Sequence, residues 1–536
     1  MTTPRNAPKR TDQGDVVFVG AGPGDPGLLT VRAVEALRDA HVVVLDEPAH
    51  HQMLEHASDL VEVVDVGVDD AGVALTAAAR GRRLVQSAKN GRRVVRLLEG
   101  DPFSHPTGAD EALACAKAGV PFEAVAGVAT GTAVPTHAGV PLVAGRRRST
   151  QLFDVGGKLD LHSCAADTLV FTGVTEQLGE LVQSVVDAGR VPSTPVAVIT
   201  AGSTVSQQSV LGTLADIGSA VKAAKIDGPY VVIVGDAVEH RDTLSWFETK
   251  PLFGWRVLVP RTKEQAGSLT DSLRGYGAVP EGVPTISVEP PRNPQQIDKA
   301  VRGMVEGRYE WIAFTSFNAL RAVKEKLIGY GLDARALSGL KVAAVGEKTA
   351  QALREWGIEP DLVPSGEQSA AGLLADWPPY DEVLDPINRV FLPRADIATE
   401  TLAAGLMEMG WEVDDVTAYR TVRAAPPPAK TREAIKTGKF DAVVFTSSST
   451  VRNLVGIAGK PHANTVIACI GPATAKTAEE HGLRVDVMAP EPSVELLADT
   501  LAEFGDSRRM SLLEAGEPVL KPSQRRRSAS RRKSAQ

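Results

Sequence analysis

Between Val16 and Thr30 the chain reads VVFVGAGPGDPGLLT, an apolar strand running into a glycine turn and then into helix-forming sequence. α/β proteins hold phosphates and nucleotides at such turns. The spacing fits neither standard phosphate loop. After Gly20 and Gly22, Asp25 and Pro26 stand where a dinucleotide fingerprint has its third glycine, and Gly27 is followed by Leu28 and Leu29, not by the Lys-Ser/Thr of a P-loop. An aspartate there repels a pyrophosphate, so a ligand without phosphates is expected. The same two residues speak against a nicotinamide-dependent oxidoreductase in which Asp46 takes a ribose hydroxyl.

A second set of chemistry-bearing residues lies in the other half of the chain. Thr315 and Ser316, Gly346 and Thr349, Thr446 and Ser447, and Gly471 and Thr474 fall at four strand-to-helix junctions. Ser and Thr cap helices there, and glycine lets the turn close; capping alone is one reading. Four helix starts at the carboxyl ends of strands also make an anion site built from free N–H groups, which points to a polyanionic ligand. Arg261 and Arg394 end equivalent strands and either pair with its carboxylates or are surface charges. His50, His51 and His56 lack the spacing and the acids of a metal site and read as polar surface; no metal is expected.

The elements that position these residues alternate along the chain. DVVFVG, HVVVLDE, RRVVRLLEGDP, PFEAVAG, DTLVFTG, TPVAVIT and PYVVIVGDAV read as strands separated by helices, an α/β pattern. ETKPLFGWRVLVPR carries a Pro-Gly break at 251–254, and the main domain boundary is placed there. Beyond it RVLVPR (256–261) is matched by RVFLPR (389–394), WIAFTSFNAL (311–320) by AVVFTSSSTV (442–451), and the segment 342–374 by 466–497. Three matched pairs in the same order imply two homologous α/β lobes.

At 536 residues, 43% apolar and 23% charged, the chain is a soluble protein of three or four domains. No apolar run reaches the roughly 20 residues of a membrane span. The N-terminus has no secretory core, and Cys115, Cys164 and Cys469 form no paired framework, so a reducing cytoplasm is expected. The net charge of -8 conceals a basic end, KPSQRRRSASRRKSAQ. A solvated, disordered tail over 506–536 is expected, with no nucleic-acid module.

RVLVPRTKEQAGSLTDSLRGYG, FTSFNAL, VGEKTAQAL, LPRAD, TAYRT, FTSSSTV and IGPATAKTA together resemble uroporphyrinogen-III synthase, over about 255–505. The resemblance implies closure of hydroxymethylbilane, a linear tetrapyrrole with eight carboxylates, with inversion of its last ring. It implies no cofactor, and two lobes of doubly wound sheet joined by two strands, one lobe from 255–290 plus 424–505 and the other from 291–423. Tyr419 matches the family tyrosine and is the candidate proton donor to the departing hydroxyl; a half-buried packing residue is the other reading.

VGAGPGDPGLLT, VVVLD, VVRLLEGDPF, AGVPFEAVAGVATGTAVPTHAGVPL, TLVFTG and GPYVVIVGDAV resemble uroporphyrinogen-III C-methyltransferase, of the tetrapyrrole methylase family, over about 15–247. The resemblance implies a two-lobed domain, placed at 15–248 after a disordered 1–14, that binds S-adenosylmethionine and could form a homodimer. By position Pro23, Gly100, Asp101, Thr130, Gly131 and Thr172 would contact the cofactor, and Asp46 would stand near the reacting carbon. The chain departs from the family at Glu99, where a glycine is expected, at Glu47 for an arginine, at Val68 for a lysine, and in SHPTGAD for Phe-Gly-Arg-Gly-Gly. Two readings stay open: a fused synthase and methyltransferase, or a synthase whose first domain only binds cofactor or tetrapyrrole as a regulatory module.

Overall fold

The computed structural model describes residues 14–525 apart from 70, 156–160, 162–164 and 262–266. The chain divides into two compact units, one mainly up to Trp255 and the other mainly from Arg256 onward. Among the described residues no helix is long and apolar enough to cross a membrane.

The first unit holds two five-stranded sheets. In the first, β1 (Asp15–Gly20), β2 (Val42–Leu45), β3 (Glu62–Asp65), β4 (Arg93–Leu98) and β5 (Phe122–Val125) lie in the order β3-β2-β4-β1-β5, all parallel. Helices join successive strands, so β1, β2 and β4 are covered on both faces, which is why VVFV and VVVL are unbroken apolar runs. In the second, β6 (Thr150–Asp154), β7 (Thr168–Val174), β8 (Pro195–Thr200), β9 (Gln208–Thr213) and β10 (Tyr230–Val234) lie in the mixed order β6-β7-β10-β8-β9.

The second unit also holds two five-stranded sheets. Its strands are β11 (Arg256–Arg261), β12 (Val279–Pro284), β13 (Ile286–Glu289), β14 (Trp311–Phe314), β15 (Lys341–Ala344), β16 (Arg389–Ala395), β17 (Glu412–Arg423), β18 (Ala442–Phe445), β19 (Val466–Cys469) and β20 (Val487–Met488). The orders are β12-β11-β18-β19-β20 and β13-β17-β16-β14-β15. The sequence repeat is therefore exchanged in space. β11 opens the first repeat but pairs with β18 of the second, while β16 opens the second and pairs with β14 of the first. Two strands carry the chain between the lobes. Ile286 stands opposite Arg423 in the antiparallel pair β13–β17, and the Ala424 N–H donates to the Thr285 carbonyl. β13 thus belongs to the sheet of the central lobe, although its residues were assigned to the other.

The tail differs from expectation. A helix runs from Val494 to Glu514, through residues read as disordered, because VELLADTLAEF carries apolar residues at helical spacing. The following segment returns to the first lobe: the Ser523 N–H donates to Asp441 Oδ1 at 2.9 Å, Asn464 Nδ2 donates to the Arg525 carbonyl, and Pro522 is buried. Residues 526–536 lie outside the described residues.

Candidate functional site

In the first unit the glycine turn holds pieces of backbone against one another. A Cβ on Gly20 would sit 2.5 Å from the Gly100 carbonyl oxygen and 2.6 Å from Gly127 Cα. Gly22 and Gly100 exchange backbone hydrogen bonds of 3.2 and 2.9 Å. Only residues without side chains let the ends of β1 and β4 cross the 126–128 segment this closely. Asp25, out of place in a phosphate loop, accepts the Gly27 N–H at 2.8 Å and caps a short turn.

The six candidate cofactor residues string together along this crossing. Pro23 follows Gly22, which bridges to Gly100. Gly100 has φ +66°, and a Cβ there would lie 3.1 Å from both the backbone nitrogen and Oγ1 of Thr130. Gly131 packs beside Thr172, whose hydroxyl donates to the Phe153 carbonyl at 3.3 Å. Asp101 shapes the turn: its carboxylate accepts the N–H groups of Phe103, Ser104 and Gly127. Glu99 Oε1 accepts the Thr130 hydroxyl at 2.9 Å, so the residue that departs from the family pattern is bound to a candidate cofactor contact. Its surface reaches solvent, yet the protein around it raises its pKa, first by desolvation, and then through Asp154 and Asp46 against the Thr130 bond.

Sequence reading missed a neighbour of this crossing, the loop Ala201–Thr204. Ala201 and Ser203 adopt φ of +48° and +62°, uncommon for residues with side chains. Ser203 Oγ is buried without a hydrogen-bond partner, and a Cβ on Gly24 would meet Thr204 Cγ2 at 2.8 Å. The Gly24 backbone thus packs directly on Thr204, and Ser203 leaves a buried polar group unsatisfied beside it.

Asp46 sits in a buried charge cluster that the sequence did not disclose. Arg96, in the middle of β4 and 0% exposed, donates to both carboxylate oxygens of Asp46 at 2.9 and 2.8 Å. On its other side it donates to both oxygens of Glu111, also 0% exposed, at 2.7 and 3.1 Å. Arg80 lies 3.2 Å from Asp46 and Thr107 donates to Glu111 at 2.8 Å. Burial alone would raise the Asp46 pKa; the Arg96 hydrogen bonds and the charges of Arg96, Arg80 and His105 outweigh it and hold it below the usual value. Burial, with the charges of Asp46 and Glu99, raises the pKa of Glu47. His50, expected at the surface, is 2% exposed with Nδ1 unpartnered, because the turn Pro48–His56 folds it inward. No cluster among the described residues offers metal-binding geometry.

In the second unit all four junctions are helix starts. Ser316 caps the helix Phe317–Gly329 and Ser447 caps Ser448–Ala458 with a reciprocal bond from Thr450; Gly346 and Gly471 precede Glu347–Glu355 and Pro472–Glu480. Thr315 and Thr446 stand half-buried one residue before the two serines. Within each lobe the starts are neighbours: β14 pairs with β15, β18 with β19, and the Ser448 hydroxyl donates to the Ala473 carbonyl. Thr349 and Thr474 are buried at 5% and 4% exposure, so these two turns present backbone N–H groups and not the hydroxyls expected of them. At Gly346 the Gln368 side chain already accepts the Glu347 N–H at 3.1 Å.

Tyr419, 8% exposed on β17, has its hydroxyl 3.0 Å from Ser316 Oγ. The phenol is therefore tied to a helix start and also lines a groove of about 590 Å³ with Arg302, Arg321 and Tyr330. Arg394 is not available as a carboxylate partner: it pairs with Asp415 and donates to the carbonyls of Ala398 and Thr399. Arg261 ends β11, with its side chain outside the described residues.

Residues 15–218 match the tetrapyrrole (corrin/porphyrin) methylases, and residues 267–499 match uroporphyrinogen-III synthase HemD. The chain is 30% identical over 513 residues to the porphyrin biosynthesis protein HemD of Ruminiclostridium josui, covering 92% of this chain and 99% of that protein. It is 34% identical to the uroporphyrinogen-III C-methyltransferase of Bacillus subtilis over 65% of this chain and 74% of that one. Among solved structures, a uroporphyrin-III C-methyltransferase from Thermus thermophilus complexed with S-adenyl homocysteine is 29% identical over 42% of this chain and 99% of its own, with a TM-score of 0.37. The chain belongs to the family of the porphyrin biosynthesis protein HemD, with a tetrapyrrole methylase part followed by a uroporphyrinogen-III synthase part.

Proposed function

We propose that the chain closes hydroxymethylbilane to uroporphyrinogen III, with inversion of the last ring, and then methylates that product from S-adenosylmethionine, towards sirohaem and cobalamin. The observation that carries this reading is the similarity along nearly the whole chain to one porphyrin biosynthesis protein. The division of labour is residues 15–248 for methylation and 249–505 for closure, the latter extended by the helix to Glu514 and the returning segment. The setting is the cytoplasm, with a homodimer formed through the first domain.

For closure, free backbone N–H groups in the first turns of the helices that follow Ser316, Gly346, Ser447 and Gly471, beyond Glu347 and Pro472 in the second and fourth, hold substrate carboxylates, and the hydroxyls of Thr315, Ser316, Thr446 and Ser447 add to them. Thr349 and Thr474 contribute main chain. Tyr419, positioned by Ser316, donates to the hydroxyl that leaves, and the fixed carboxylates keep the bilane folded so that closure at the wrong carbon is slower. For methylation, Pro23, Gly100, Asp101, Thr130, Gly131 and Thr172 hold the cofactor, which supplies an electrophilic methyl group. The buried Ser203 hydroxyl, which has no partner, offers a hydrogen bond to a ligand of that kind.

One observation favours the second reading, a first domain that binds without turnover: the Glu99 carboxylate occupies the Thr130 hydroxyl, and with Glu47 it adds negative charge beside Asp46. Purified protein given hydroxymethylbilane with and without S-adenosylmethionine separates the two by product isomer and mass. Methylated uroporphyrinogen III with the cofactor supports the bifunctional enzyme. Unmethylated III in both supports the binding domain, and isomer I alone refutes the synthase assignment.

A further inference from the structure

We propose that Asn318 is a further catalytic residue of closure, its side-chain oxygen accepting the N–H of the pyrrole from which the hydroxyl departs. This rests on the synthase reading above.

The chemistry asks for such a group. As the carbon–oxygen bond of the hydroxymethyl arm breaks, its electron pair leaves with the oxygen, which takes the Tyr419 proton and departs as water. The ring nitrogen supplies the electrons that make the bond to the arm double, so positive charge gathers at its N–H. Attack by the last ring discharges the cation, and the proton which that ring sheds restores the phenol. A neutral acceptor fixed on the N–H stabilises the charge while it lasts, and the bond strengthens as the nitrogen becomes positive.

Asn318 stands beside the phenol. Ser316 caps the helix Phe317–Gly329, its Oγ lies 3.0 Å from the Tyr419 hydroxyl, and Asn318 is the second residue of that helix. Asn318 and Tyr419 line the same groove of about 590 Å³, in the size range of small-molecule sites. The Asn318 Oδ1 is buried without a hydrogen-bond partner, a state that buried polar atoms rarely keep. The helix start itself offers N–H groups, which suit carboxylates; an oxygen does not, since an ionised carboxylate only accepts. The donors that hydroxymethylbilane does carry are its pyrrole N–H groups and its one hydroxyl, and Tyr419 engages the hydroxyl. The terminal torsion of an asparagine is soft, so Oδ1 can turn to the groove and has no bond to give up in doing so.

The rest of the groove suits the carboxylate arms. Its acids Asp298, Glu289 and Glu325 each have a cation, in Lys326, Arg420 and Arg321, and Arg302 adds a further positive charge. Arg321 also lines an adjoining groove of about 700 Å³ along the segment 424–428, which gives the following rings room.

The test uses the full chain with hydroxymethylbilane. Asn318→Leu should lower kcat for uroporphyrinogen III about 100-fold. Its KM should stay within about threefold, because the bond strengthens only as charge develops, and its thermal midpoint should not move. Asn318→Asp keeps an acceptor in the same place and has no amide donor, so it should recover about tenfold or more of the lost kcat. A leucine variant with wild-type kcat overturns the proposal. So does an aspartate variant as slow as the leucine one, which would make the side chain a donor to a carboxylate. If the leucine variant does not fold, Asn318→Asp decides alone: kcat within about tenfold of the wild type supports the proposal, and a loss of about 100-fold overturns it. In each of these cases wild-type protein still makes isomer III; a wild type that yields isomer I alone overturns the synthase reading as well.

Discussion

Replacing Arg96 with methionine tests the buried cluster directly, because the side chain keeps its bulk and loses its charge. Asp46 and Glu111 would then lie buried opposite no guanidinium from β4. Removing one partner of a buried pair costs about 3–5 kcal/mol. The lower end is expected, since Asp46 keeps Arg80 at 3.2 Å and Glu111 keeps the Thr107 hydroxyl at 2.8 Å. For a domain of this size a loss of 3 kcal/mol lowers the melting temperature by roughly 6–12 °C. Scanning calorimetry of the full chain, with the synthase transition as internal control, should show that shift in the methylase transition alone. The pH dependence has a defined sign. In the wild type the Asp46 pKa is lowered, so its contribution is present above the unfolded pKa of about 3.9 and disappears only as pH falls through the folded value. In the variant Asp46 loses the Arg96 bonds that chiefly hold its pKa down, so burial raises it and it takes up a proton earlier, and the gap between the two proteins narrows from pH 8 to pH 5. A methylase transition that does not move at pH 8, or a gap that stays constant down to pH 5, would refute the reasoning.

Tyr419→Phe should slow formation of uroporphyrinogen III about 100-fold, and the lost bond to Ser316 should lower stability by no more than about 1.5 kcal/mol; isomer analysis with a melting curve checks both. Glu99→Gly frees the Thr130 hydroxyl and removes a negative charge, so titration calorimetry should record tighter S-adenosylhomocysteine binding; equal or weaker binding would show that Glu99 does not obstruct the site. A chain ending at Glu514 loses the Ser523 N–H that Asp441 accepts, leaving a buried carboxylate oxygen unsatisfied at about 1–3 kcal/mol. The synthase transition should fall accordingly, whereas a chain ending at Arg525 should melt like the full protein.

The strands were legible because runs such as VVFV, VVVL and VVIV are buried on both faces and need no partner to be recognised. The glycine turn was legible as a special place, and Gly100 and Thr130 do meet there. That Gly20, Gly100 and Gly127 are required by one another was not, since the three lie far apart along the chain. Arg96 was read as part of an ordinary strand: its partners stand 15 and 50 residues away, and no local period relates them. The only signal was a lone charge between VV and LL. The helix starts were found by residue type, but whether a threonine points out or in depends on the turn; at Thr349 and Thr474 it points in. The returning segment 515–525 has the composition of a loose tail, and what holds it is largely main-chain bonding, to which composition is blind. The repeat gave two lobes, while the exchange of β11 and β16 between them followed only from the family resemblance.

That exchange has a consequence for how the protein is made. The β11 start reaches its Asp441 partner only 185 residues later in the chain, which at about 5–20 residues per second of synthesis is a wait of roughly 10–40 s. The central lobe, continuous from β13 to β17, is complete before that, with Arg423 made only about 1–4 s ahead of Asp441. β11, which pairs with β12 on one side, meanwhile has no partner for the edge that β18 will take. The vulnerable period of this enzyme is thus written into its strand order, and slow codons between β17 and β18 would prolong it without altering a single residue of the finished protein.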